Sequence, residues 1–205
     1  MDKKYISLIY HFNVIMSSKE EVYGVLQKIY PSWNINIGHK RLEFSEGRTS
    51  FEHSGILHIL HQIHKQCNVN CGLGQGIGGG YDWCWFIDCA ISDEMPVMPE
   101  GISDDEFLEV VDRFGALYYM TLQISQVAPY AAIHWLKFTR EMYWEEFYVA
   151  PTEDCAKLEP RVAQVLKEYH IEVLNWNLLN EVVEGMKGGT IDNETPTVYN
   201  CLFSE

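Results

Sequence analysis

Ala131-Ala-Ile-His-Trp-Leu-Lys-Phe-Thr-Arg140 and Met142-Tyr-Trp-Glu-Glu-Phe-Tyr-Val-Ala150 are two runs rich in aromatic and β-branched residues, separated by Glu141. Such runs fit a pleated, half-buried surface, and their closeness across a polar break reads as an antiparallel hairpin turning near Glu141. The flanking helix and strand patterns do not alternate strictly. A hairpin in that setting favours an α+β fold, with a mixed, mostly antiparallel sheet and helices packed on it, over a doubly wound parallel sheet.

Toward the C-terminus, Thr152 is placed to cap a helix carrying Leu158, Val162, Val165 and Leu166, which Pro160 should kink or mark as the true start. Ile171–Leu174 reads as a short strand, Leu178–Val183 as a helix and Thr197–Phe203 as a closing strand. Toward the N-terminus, Ser103 and Glu106 have capping-box spacing. Phe107, Val110, Val111, Phe114, Leu117, Tyr118 and Leu122 then trace one face of a long helix ending before Pro129. Asp82–Ala90 is apolar at nearly every position, as expected of a strand covered on both faces. Met95–Gly101, with its two prolines, reads as a connector.

Residues 51–66 return to helical spacing, and Arg41–Glu46 alternates like an edge strand. Ser18 and Glu21 form another capping box, before Val22, Val25, Leu26 and Ile29 repeat at helical intervals up to Pro31. Tyr5–Phe12 reads as an opening strand. The fairly apolar run Tyr5–Met16 is interrupted by His11 and Asn13 and lacks a small-residue cleavage site, which argues against a signal peptide.

A chain of 205 residues suits one α+β domain over 1–205, with residues 91–102 the natural place for a two-lobe division. No apolar run is long enough to span a bilayer, so the expected protein is soluble and cytoplasmic, with its six cysteines reduced. The formal charge of −14 disfavours nucleic acid and anionic membrane as partners and favours a basic protein. Between Gln66 and Asp112 there is no Lys or Arg, so the negative field is concentrated there.

His53 to Gly80 gathers the residues best suited to chemistry. On a helical wheel Ile56, Ile59, Leu60 and Ile63 share one side, and His53, His58, His61 and His64 form a stripe on the flank opposite. His58, His61, His64 and Cys67 are candidate metal ligands. Their uniform three-residue step drifts around the helix, however, whereas a zinc helix usually places histidines at i and i+4. Gly74-Gln-Gly-Ile-Gly-Gly79 satisfies GxGxxG, but it follows a helix and precedes a strand, the reverse of a dinucleotide site. Cys84 and Cys89 lie in an apolar strand, while Cys67 and Cys71 are better placed for thiol chemistry; neither oxyanion donors nor an orienting group accompany them.

The expectation is therefore a non-catalytic interaction protein that needs no cofactor and binds a basic partner through an acidic, aromatic-bearing surface. Asp93, Glu94, Asp104, Asp105, Glu109, Glu145 and Glu146 are its candidate contact residues, with Tyr143, Trp144 and Tyr148 beside the last two. In size and composition the chain is similar to the cytoplasmic immunity proteins that neutralise bacterial toxins. The competing expectation is a metal- or thiol-dependent hydrolase using His58 to Cys71.

Overall fold

The Ser18 side chain accepts the Glu21 amide while the Glu21 carboxylate accepts the Ser18 amide, and this reciprocal cap starts helix α1, Lys19–Ile29. Val22, Leu26 and Ile29 are its buried stripe. The computed structural model describes residues 17–35, 53–74, 84–97, 104–141, 144–187 and 195–203. The strands expected at Tyr5–Phe12 and Arg41–Glu46, the Ser103 cap, the glycines from Gly76 to Gly80, Trp83 and Tyr143 lie outside those residues.

Helix α2 spans His53–Cys67 and buries Ile56, Ile59 and Ile63. Strand β1, Cys71–Leu73, follows and pairs antiparallel with β2, Cys84–Ala90. The Gly74–Gly79 stretch thus falls in sequence between two antiparallel neighbours, after β1 and before β2. On the far side of residues 91–102, helix α3 covers Asp104–Phe114 and leads into β3, Leu117–Ser125, which lies directly beside β2.

The long helix expected through Leu122 is therefore wrong in its second half. Gly115 adopts φ +77°, the left-handed region that glycine enters without steric cost, and its amide closes on Val111 C=O at 2.6 Å. Beyond this stop, Thr121, Gln123 and Ser125 alternate with Leu122 and Ile124, a period of two that a helix cannot use.

Strand β4, Tyr130–Phe138, pairs with β3 along its length and with β5, Trp144–Phe147, across the expected hairpin. The Thr152 side chain accepts the Cys155 amide and opens α4, Glu153–Glu168, which passes through Pro160 rather than starting there. Strand β6, Glu172–Val173, then runs parallel to β4 beside Tyr130 and Ala131. The expected Leu178–Val183 helix is instead a single turn, α5, Trp176–Leu179, capped by Asn175.

The expected closing strand is helix α6, Val198–Phe203. Thr197 and Asn200 explain the reversal. Asn200 Oδ1 accepts the Thr197 amide at 2.9 Å and Thr197 Oγ1 accepts the Asn200 amide at 3.3 Å, a reciprocal cap built with asparagine in place of glutamate. Among the described residues the strands form one mixed, mostly antiparallel sheet in the order β1-β2-β3-β4-β5, with β6 also on β4.

Alternation divides this sheet into two unlike faces. Ile87, Cys89, Met120, Leu122, Ile124, Ala131, Ile133 and Trp135 form the face under α2 and α4, in a core with Ile56, Ile59, Ile63, Leu158, Val162 and Val165. The other face carries two separate apolar clusters. Cys84, Tyr130 and Ala132 pack with α1, α5 and α6, whereas Ala90, Tyr119, Leu136 and Phe138 pack with α3. Among the described residues no helix is long and apolar enough to cross a membrane.

Candidate functional site

Between those two clusters lies a polar row. The buried polar or charged residues Asp88, Thr121, Gln123, Ser125 and His134 all occupy this second face. Strand register places Asp88 opposite Thr121 and Thr121 opposite His134, so the row crosses three strands at one level. Thr121 Oγ1 donates to Asp88 Oδ1 at 2.7 Å. Burial pushes the Asp88 carboxyl above its ordinary value of 3.8, and the Thr121 bond opposes that only in part. Gly74, just beyond β1, leaves the carboxyl its space: a Cβ there would stand 2.5 Å from Asp88 Oδ2.

His134 carries the row outward. Its Nε2 lies 3.6 Å from Glu146 Oε1, and Glu146 Oε2 accepts the Tyr148 hydroxyl at 3.0 Å. On the inner side, His134 Nδ1 and Gln123 Oε1 are buried and have no hydrogen-bond partner among the described residues. Burial lowers the His134 pKa below its ordinary 6.5, and the Glu146 charge opposes the shift. Because the unfolded chain binds the proton more readily, this histidine's contribution to stability is full above pH 6.5 and is lost as the pH falls through the window beneath it. Urea midpoints are expected to fall on acidification from neutrality, with a flatter profile in His134→Gln. An identical profile in that variant would remove His134 from the account.

Trp176 closes the notch between β5 and β6. The Glu172 amide donates to Pro129 C=O and the Leu174 amide to Ala131 C=O, and the Trp176 indole N–H then takes the next outward carbonyl, that of Ile133. A side chain thus continues the ladder where the backbone leaves it. The Trp176 ring meets Tyr148 at 4.3 Å, Tyr199 at 5.4 Å and His134 at 6.4 Å between centroids, and Tyr199 continues to Phe203. An aromatic chain therefore links the buried end of α6 to the surface beside β5.

The same ladder orients β5. Ala131 and Ile133 turn their carbonyls toward this edge of β4, so Trp135 and Lys137 do likewise and meet Phe147 and Glu145 in register. The backbone groups of Trp144 and Glu146 consequently point away from the sheet, whose order ends at β5 among the described residues. Trp144 is 48% and Tyr148 49% exposed, and Val149 is 78% exposed. Glu145 is on the α2/α4 face, bonded to Lys137 at 3.1 Å, and Glu146 is on the polar-row face.

The other expected contact residues are elsewhere. Asp93 and Glu94 are exposed in the bend after β2, where the Asn70 amide group fixes the Asp93 and Met95 carbonyls at 2.7 and 2.8 Å. Asp104 begins α3, with Asp105 and Glu109 exposed along it. The four candidate metal ligands have separate surroundings. His58 meets the Tyr169 ring edge-on, His64 Nδ1 lies 2.7 Å from Val69 C=O, His61 is exposed, and Cys67 is buried with its thiol pKa raised by that burial. Among the described residues no group of three or more His, Cys, Asp or Glu is arranged to hold a metal ion.

No sequence pattern brings Asp88, Thr121, Gln123, His134 and Trp176 together. The Thr-x-Gln-x-Ser period in residues 121–125 could have located three positions of the polar face; only tertiary pairing reveals that His134 and Asp88 join them. No protein-family model, curated protein or solved structure matches the chain.

Proposed function

We propose that this chain is a non-catalytic binding protein that takes a basic partner protein against the outer edge of β5, as a toxin-neutralising immunity-type protein would. The observation that carries the reading is the edge itself: outward backbone groups at Trp144 and Glu146, half-exposed Trp144 and Tyr148, and a glutamate on each face of the strand. Aromatic rings supply contact area at small entropic cost, and main-chain groups on an edge can pair with an added strand. Edge glutamates also discourage pairing between two copies of β5, while the same charges favour a segment bearing Lys or Arg. The overall charge of −14 adds long-range attraction for such a partner.

The test is a reconstituted complex with the purified partner recovered from native cells. Its affinity is expected to fall with rising salt, and by roughly 10- to 100-fold in the double substitution Glu145→Lys/Glu146→Lys. Both side chains are solvent-accessible, so the unfolding midpoint serves as the control for an intact fold. Equal affinity for the doubly substituted chain, or an acidic partner held independently of salt, would sink the reading.

A further inference from the structure

Cys71 and Cys89 face each other across β1 and β2. The Ala90 amide bonds Asn70 C=O at 2.8 Å and the Gly74 amide bonds Phe86 C=O at 3.0 Å, so the pairs 70/90 and 74/86 exchange ladder bonds. By alternation Cys71/Cys89 is a non-hydrogen-bonded pair, the kind with Cα atoms about 4.5 Å apart and side chains closest. Disulfides accept Cα separations of about 4.4–6.8 Å, so no large backbone movement is required to join the two. The Cys71 thiol donates to Val69 C=O at 3.7 Å, and Cys89 lies fully buried beside it. Of the six cysteines, all free, Cys71 alone is not buried.

We propose that Cys71 and Cys89 are a redox-active pair that closes into a reversible cross-strand disulfide when the protein meets a peroxide. The Cys71 sulfur attacks one peroxide oxygen, the O–O bond breaks, and the products are a Cys71 sulfenic acid and water. Cys89 sulfur then displaces hydroxide from the sulfenic sulfur, and the Cys89 proton leaves with it as a second water. Two thiols are oxidised by two electrons, and one hydrogen peroxide is reduced to two waters. The contact with Cys71, together with burial, holds the Cys89 thiol protonated, which assigns the first attack to Cys71 and the resolving step to Cys89. The bond would fasten β1, the three-residue strand at which the sheet order ends among the described residues, to β2 and the body of the sheet. Cys67, buried at the end of α2, is the competing resolver.

The full chain is treated with hydrogen peroxide and mapped by non-reducing peptide mass spectrometry. The expected result is a Cys71–Cys89 cross-link, loss of two titratable thiols, and an unfolding midpoint raised by about 5 °C, all reversed by dithiothreitol. Cys89→Ala should leave Cys71 open to irreversible oxidation, whereas Cys201→Ala, with its thiol in a different core, should still form the bond. A Cys67–Cys71 link, irreversible oxidation of Cys71 in the native chain, or six unreacted thiols would each overturn the proposal.

Discussion

Trp135→Ala is expected to cost about 4 kcal/mol of folding stability, a large part of the roughly 5–15 kcal/mol that holds a domain folded. Trp135 is fully buried on the α2/α4 face, and its indole N–H donates to Glu159 Oε1 at 2.6 Å. The substitution removes the largest side chain of that core and also leaves the partly buried Glu159 carboxylate without its donor. Burial already holds the Glu159 carboxyl above its ordinary pKa, against the effect of the Trp135 bond, so losing the donor raises it further. Trp135→Phe separates the two contributions: it retains most of the ring and loses the hydrogen bond, for about 1–3 kcal/mol. Urea unfolding of the two variants measures both, and a loss below about 1 kcal/mol in Trp135→Ala would contradict the packing described.

Trp176→Ala should cost about 3 kcal/mol, and here the expected effect reaches beyond stability. The ring supports Tyr148 at 4.3 Å and its N–H satisfies Ile133 C=O. Without it the notch between β5 and β6 opens, and Tyr148 loses the surface that fixes its position. Partner affinity is expected to fall by about tenfold in a variant still folded under the assay conditions, through loss of that preorganisation. Trp176→Phe should recover most of the affinity but only part of the stability, because the stack survives while the carbonyl stays unpaired. Unaltered binding by Trp176→Ala would separate the aromatic chain from the β5 surface.

Elements whose signals were local were legible in the chain. The Ser18–Glu21 and Thr152 caps, the 56/59/63 stripe, the doubly covered β2 and the hairpin at Glu141 all depend on neighbours within a few residues. The failures share a different cause. Residues 107–122 present apolar side chains at helical spacing by coincidence of an amphipathic helix running into a doubly buried strand, and only Gly115 marks the change. At Thr197–Phe203 β-branched and aromatic content competed with a cap that uses asparagine, and the cap together with burial against α5 and β3 prevailed. His58, His61 and His64 lie off the buried face of α2, as the wheel predicts, but the engagements of His58 with Tyr169 and of His64 with Val69 depend on folding. The exposed β5 surface was anticipated from composition; Trp176, its support, lies outside any pattern a local reading would notice.

The confinement of Asp88, Thr121, Gln123, Ser125 and His134 to one face bears on how the strands find each other. A central strand clothed only in Leu, Ile and Met could slide against its neighbours and still bury hydrocarbon on both sides. Here a slip of one residue would thrust Thr121, Gln123 and Ser125 into the α2/α4 core, and a slip of two would part Thr121 from Asp88. These few side chains, which contribute little hydrophobic free energy, thus serve as the alignment marks by which the middle of the sheet is assembled in a single way.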